Sequence, residues 1–119
     1  MIVYLGVDWA ASAAETSVAF GMDRPCRFKK LARGAKQVRD AIADLASRSE
    51  VIEVRVIIES GAPGWVELFH EAGARVFVVD AAQSKAFAAS LRSSGAKCDG
   101  SDADMMVLMG QSPVHAERE

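Results

Sequence analysis

Glu53-Val54-Arg55-Val56-Ile57-Ile58-Glu59 is a nearly continuous apolar run bounded by two glutamates, and it decides the fold class. A strand with one solvated face alternates polar and apolar residues, whereas a run like this one marks a central strand covered on both faces. Downstream, Ser60-Gly61-Ala62-Pro63-Gly64 supplies turn residues, with Pro63 suited to a first helical turn. Trp65, Leu68, Phe69 and Ala72 then set the apolar stripe of a helix that Gly73 closes. Residues 75–80 read as a strand, and 81–92 as a helix with Phe87, Ala88 and Leu91 turned inward. After a break at Ser93-Ser94-Gly95, a last helix begins near Ser101, with Ser101 as cap and Asp104 at the capping-box spacing, and ends near Gly110.

Upstream of the same run, Val38, Ala41, Ile42 and Leu45 recur at spacings of three and four, the mark of an amphipathic helix from Gly34 to about Ser49. Before it, residues 25–31 form a polar edge strand with Cys26, Phe28 and Lys30 on one face and Arg27 and Lys29 on the other. Residues 2–8 and 15–21 are strands joined by a short turn, plausible partners in a hairpin. Three strands, helix, strand, helix, strand and two helices make an α/β domain: a mixed five-stranded sheet with helices on both faces.

At 119 residues and 50% hydrophobic content the chain suits one core, here assigned to residues 1–110, with 111–119 a polar tail or a truncation point. No apolar run approaches the roughly 20 residues needed to span a bilayer. Met1-Ile2-Val3-Tyr4-Leu5 reads as a first strand and not as a signal peptide, so a cytoplasmic protein is expected. Cys26 and Cys98 stand far apart, as reduced thiols do. The net charge of -2 conceals a basic stretch: Arg24, Arg27, Lys29, Lys30, Arg33, Lys36 and Arg39 fall together with no acid among them. Lys29, Lys30 and Lys36 are the cations expected to hold nucleic-acid phosphates, against the plainer reading of a solvated strand and helix face.

The acids point the same way. In such a sheet the first strand is central and the strand after the first long helix lies beside it, so Asp8 and Glu59 end neighbouring strands. Asp99 and Asp102, three apart at a helix start, share a face that can return over the same edge. Four carboxylates this close need cations between them, and hard oxygen ligands favour Mg²⁺ or Mn²⁺. Two such ions about 4 Å apart serve phosphodiester cleavage or transfer, which makes Asp8, Glu59, Asp99 and Asp102 both metal ligands and catalytic candidates. Singly, each acid has a plain explanation: Asp102 suits a helix macrodipole and Glu59 ends a strand. Asp104 and Glu15 rank lower, the first lying off the Asp99 and Asp102 face and the second beginning a hairpin strand. Trp9 alternates away from Asp8 and reads as packing. His70 and His115 have no partner at metal-ligand spacing. Met105, Met106 and Met109 fit either the inner face of the last helix or a contact surface.

Gly6-Val7-Asp8, Ile58-Glu59-Ser60-Gly61 with Trp65, 79–88 (Val-Asp-Ala-Ala-Gln-Ser-Lys-Ala-Phe-Ala) and 96–103 (Ala-Lys-Cys-Asp-Gly-Ser-Asp-Ala) together resemble the bacterial insertion-sequence transposases with an N-terminal RuvC-like DEDD domain, the family that includes Piv-type DNA invertases. The resemblance covers nearly the whole chain and implies a ribonuclease H-like fold. It also implies that Asp8, Glu59, Asp99 and Asp102 are the DEDD metal ligands, that Gln83, Lys85 and Lys97 lie near nucleic acid, and that the reaction is transposition of DNA. It further implies a second, C-terminal domain bearing a serine nucleophile, homo-oligomers of the full-length protein, and in some members a guide RNA. No serine of this chain is expected to take that role: Ser12, Ser60 and Ser101 read as turn or cap residues. Cys98 stands where the family usually has Thr, and Gly100-Ser101 replaces a bulkier pair. The rival readings are a stand-alone RuvC-type junction resolvase, a catalytically idle nucleic-acid-binding or assembly domain, and a sugar-kinase or actin-like ATPase. The last lacks phosphate-loop glycines at Asp8-Trp9-Ala10-Ala11-Ser12.

Overall fold

The computed structural model describes residues 1–62, 64–93 and 102–112, without the side chains of 92 and 93. Pro63, Lys97, Cys98, Asp99 and Ser101 therefore lie outside the described residues, as do residues 113–119 of the expected 111–119 tail. Strand β1 (Ile2–Trp9) takes partners along both edges. It pairs antiparallel with β2 (Ala13–Phe20) and parallel with β4 (Glu53–Glu59). Strands β3 (Cys26–Ala32) and β5 (Arg75–Val79) complete the order β3-β2-β1-β4-β5. This is the mixed five-stranded sheet expected from the sequence, and the apolar run of β4 lies second from one edge with both faces covered.

Alternation along the strands divides the apolar residues between two cores. Val3, Leu5 and Val7 of β1 and Val54, Val56 and Ile58 of β4 face helices α1 (Ala35–Ala46) and α2 (Trp65–Glu71), where Val38, Leu45, Trp65 and Phe69 are fully buried. Burying each of those four side chains contributes about 1.5–3 kcal/mol. Tyr4 and Ile57, on the other face, meet α4 (Asp102–Gln111) and Phe87 of α3 (Ala81–Ser93). Met106, Val107 and Met109 are buried there, so these α4 methionines fill a core. In α3 the buried residue is Ser84, while Phe87, Ala88 and Leu91 are only half-buried.

Two glycines set how closely α4 rides on the sheet. A Cβ on Gly6 would run into the carbonyl oxygen of Ala103 and come within 2.8 Å of the Val107 amide nitrogen. One on Gly110 would strike Ile57 and lie 3.1 Å from the Tyr4 ring. Only hydrogen at both positions lets the helix settle directly on β1. At the far end, the Gln111 amide donates to the carbonyls of Gly21 (3.0 Å) and Asp23 (2.9 Å), tying α4 to the β2–β3 turn.

The expected two-faced pattern of β3 is broken by a bulge opposite β2 between Glu15 and Ser17. Phe28 and Leu31, three residues apart, both pack into the α1/α2 core, which strict alternation forbids and one extra residue permits. Thr16 spans the irregularity: its hydroxyl donates to the Lys29 carbonyl (2.6 Å) and accepts from the Lys29 amide (3.0 Å). No described helix is long and apolar enough to cross a membrane.

Candidate functional site

The site grows from strand register. Asp8 stands opposite Glu15 in the β1–β2 ladder, and one step beyond the last β1–β4 pair, Val7 with Ile58, Asp8 comes abreast of Glu59. These residues share the α4 face of the sheet, in step with Tyr4 and Ile57. Because Ala103 sits on Gly6, the first turn of α4 lies over the end of β1, and Asp102 arrives beside Asp8. Asp8, Trp9, Glu59, Ser84, Lys85 and Asp102 line one cleft of about 350 Å³.

Its electrostatics are one-sided. Burial in the cleft wall, then the negative charges of Asp102, Glu15 and Glu59, hold the Asp8 carboxyl above the usual aspartate range. Among the described residues, none of Asp8, Glu59 and Asp102 has an ion-pair partner. Glu59 instead has the buried Ser84 hydroxyl 3.2 Å from its Oε2; that hydroxyl also lies 3.2 Å from the Ala81 carbonyl. Among the described residues no three His, Cys, Asp or Glu side chains are arranged to hold one ion. The donor set, the carboxylates of Asp8, Glu59 and Asp102 lining one cleft, is of the hard oxygen type that suits a divalent cation.

Two tryptophans lace the strand ends that carry the acids. The Trp9 indole N–H, next in sequence to Asp8, donates to the carbonyl of Glu59 (3.0 Å), while Trp65, six residues after Glu59, donates to the carbonyl of Ala10 (2.8 Å). The last residue of β1 thus supplies the donor that fixes the end of β4, and the first residue of α2 supplies the one that fixes the chain just past β1. Trp9 packs on the α1/α2 core as its alternation predicts, but its hydrogen bond makes it a positioning group as well.

The other expected site residues scatter. Lys85 is exposed at the cleft. Gln83 is engaged in a reciprocal cap at the start of α3: its side-chain oxygen accepts from the Asp80 amide (2.8 Å), and its own amide donates to Asp80 Oδ1 (2.7 Å). The single basic stripe is divided between two faces. Lys29 turns to α1, 3.9 Å from Asp44, and Lys36 on α1 pairs with Asp40 at 2.8 Å. Lys30 is paired in register with Glu15 and lines a second cleft beside Asp8. Asp104 accepts a hydrogen bond from Ser17 and so tethers α4 to β2. Lys97 and Asp99 are beyond the described residues. Glu15 is the residue that reading the sequence undervalued. The tight Ala10–Ala13 turn, closed by a 2.8 Å backbone hydrogen bond, dictates its pairing with Asp8.

No family model and no curated protein matches the chain. Among solved structures it is similar to RuvC of Thermus thermophilus, with a TM-score of 0.61 over 98% of this chain and 97% of that chain at 14% identity. It is likewise similar to T. thermophilus RuvC in complex with a Holliday junction substrate, with a TM-score of 0.57 over 98% and 96% of the two chains at 14% identity. The fold is RuvC-like. The mixed sheet with helices on both faces is thus of the ribonuclease H-like class that the sequence motifs imply. A RuvC-like fold at this identity carries no chemistry with it, so the functional argument rests on the side chains at the strand ends.

Proposed function

We propose that this chain is a divalent-metal-dependent domain acting on DNA phosphodiesters, the N-terminal catalytic domain of a DEDD transposase or site-specific recombinase. One observation carries the reading: Asp8, Glu59 and Asp102 line a single cleft with no ion-pair partner among the described residues, and Asp8 is held above its usual range by burial there and then by the neighbouring acids. These three would hold Mg²⁺ or Mn²⁺, with Asp99 the fourth ligand that the sequence motifs imply. The chemistry a cation supplies when bound there is charge stabilisation at the phosphodiester oxygens and activation of the attacking oxygen. Ser84 orients Glu59, the Trp9 and Trp65 indoles hold the two strand ends in step, and Lys85 offers positive charge to a phosphate at the rim. On this reading the partners are DNA, a serine-bearing second domain, further copies of the full-length protein and, as in some relatives, a guide RNA.

A second reading, a stand-alone junction resolvase, is favoured by a structural likeness that spans 97% of a RuvC chain. Incubating the chain with a radiolabelled four-way junction and with a linear duplex in Mg²⁺ or Mn²⁺ separates the two. Symmetric nicks in the junction alone support the resolvase. The transposase reading predicts no junction resolution by this chain and cleavage only when the serine-bearing domain is supplied. Cleavage that survives Asp8→Ala and Glu59→Ala contradicts both.

A further inference from the structure

Asp8 is shared by two clefts. One is the α3/α4 cleft described above. The other, about 360 Å³, runs the opposite way across the ends of β1, β2 and β3, and is lined by Asp8, Trp9, Ser12, Ala13, Glu15 and Lys30. Register explains its order: Glu15 pairs with Asp8 on one side and with Lys30 on the other, so the row Glu59, Asp8, Glu15, Lys30 crosses four strands on one face of the sheet. The two clefts share Asp8 and Trp9, with a lysine lining each, Lys85 in one and Lys30 in the other. Ala10, Ser12, Ala13 and Ala14 also line the Lys30 cleft. Lys30 is exposed and makes no ion pair among the described residues, unlike Lys29 and Lys36.

We propose that Lys30 binds a backbone phosphate of the DNA strand next to the phosphate at the carboxylates, its ammonium offered from the second cleft. This deepens the proposed function and rests on it. A phosphodiester chain crossing Asp8 at right angles to the strands must leave the acids in one direction or the other, and Lys30 supplies the positive charge on the β3 side. Glu15 stands between Lys30 and Asp8 in that row. Its own negative charge opposes the phosphate, which keeps contact weak for lone anions and favours a strand already held at the carboxylates.

The test is fluorescence-anisotropy binding of a mixed-sequence DNA duplex in EDTA across a salt series, for the wild type, Lys30→Gln, Glu15→Gln and Arg48→Gln, the last removing a cation at the opposite end of the sheet. Lys30→Gln is expected to weaken binding several-fold and to flatten the log–log salt slope by about 0.7–0.9, the loss of one phosphate contact. Glu15→Gln is expected to tighten binding, and Arg48→Gln to change neither. An unchanged slope in Lys30→Gln overturns the proposal. So does a Glu15→Gln chain that loses affinity as Lys30→Gln does, which would mark a structural pair, or a wild type that fails to bind the duplex at low salt. Mg²⁺ or Mn²⁺ titration of Lys30→Gln separates the two levels: retained ion binding with lost DNA slope supports both. An ion-free wild type breaks the underlying reading, whatever the slopes show.

Discussion

Glu53 and Glu59 begin and end the same strand, face the same side of the sheet and live in opposite surroundings. At the first, burial alone would raise the carboxyl, but a hydrogen bond from Arg55 and the charges of Arg55 and Arg75 outweigh it and hold Glu53 below the usual glutamate range. Both guanidinium groups also lie over the Phe77 ring, at 5.5 and 5.6 Å, so the cluster is packed as well as supplied with cations. At the second, Glu59 has a serine hydroxyl and two acids for company. The first acid is supplied with its own cations; the second has none among the described residues, and it is the one the proposed function assigns to a ligand that brings charge.

The largest effect should come from disturbing what holds the uncompensated end together. Gly6→Ala drives a methyl group into the backbone of α4 and is expected to destabilise the chain by about 1–3 kcal/mol in urea unfolding, as overpacked cores do. A change below about 0.5 kcal/mol would mean that α4 is not seated on β1. Next, Glu53→Gln strips the charge partner from Arg55 and Arg75. Discounted for the partial exposure of the pair, the expected cost is about 1 kcal/mol, with metal affinity unaltered. Trp9→Phe keeps an aromatic ring on the core but loses the five-membered ring and, with it, the donor to the Glu59 carbonyl. It should cost about 0.5–1.5 kcal/mol and, unlike Glu53→Gln, weaken ion binding measured by calorimetry.

The pH dependence separates the two ends by sign. Glu53, lowered from 4.5, contributes stability that is present above that value and fades as pH falls through its folded-state pKa. Asp8, raised from 3.8, contributes stability that is present below that value and lost as pH rises through its folded-state pKa. In metal-free buffer at neutral pH, Glu53→Gln should therefore melt below the wild type and Asp8→Asn above it. Both should converge on it as the carboxylates protonate. Two variants shifted the same way at neutral pH would erase the contrast. Smallest of all, Lys36→Gln breaks only an exposed i,i+4 pair with Asp40, which solvent screens, and should move thermal melting least.

Much of the fold was legible because its signals are local. The apolar run 53–59 coincides with β4 to the residue, and Val38, Ala41, Ile42 and Leu45 are the buried face of α1. Topology alone also suggested Asp8, Glu59 and Asp102 as neighbours, and they do line one cleft. What escaped is non-local. The bulge that turns Phe28 and Leu31 to one side, the division of the basic stretch between two faces, and the crossed bonds of Trp9 and Trp65 depend on which strand meets which and in what register. Glu15 is intermediate: its place opposite Asp8 follows from the length of the Ala10–Ala13 turn, a signal present in the sequence but outweighed by its position at a strand start.

On the proposed function, the acids at the ends of β1 and β4 bind a divalent cation. Calorimetric titration of Mg²⁺ and Mn²⁺ into the wild-type chain and into a variant with both Asp8→Ala and Glu59→Ala, each checked for fold by circular dichroism, tests this. Binding to the wild type that vanishes in a folded double variant is the predicted result. A wild type that takes up neither ion, or a double variant that binds as well as the wild type, contradicts the account.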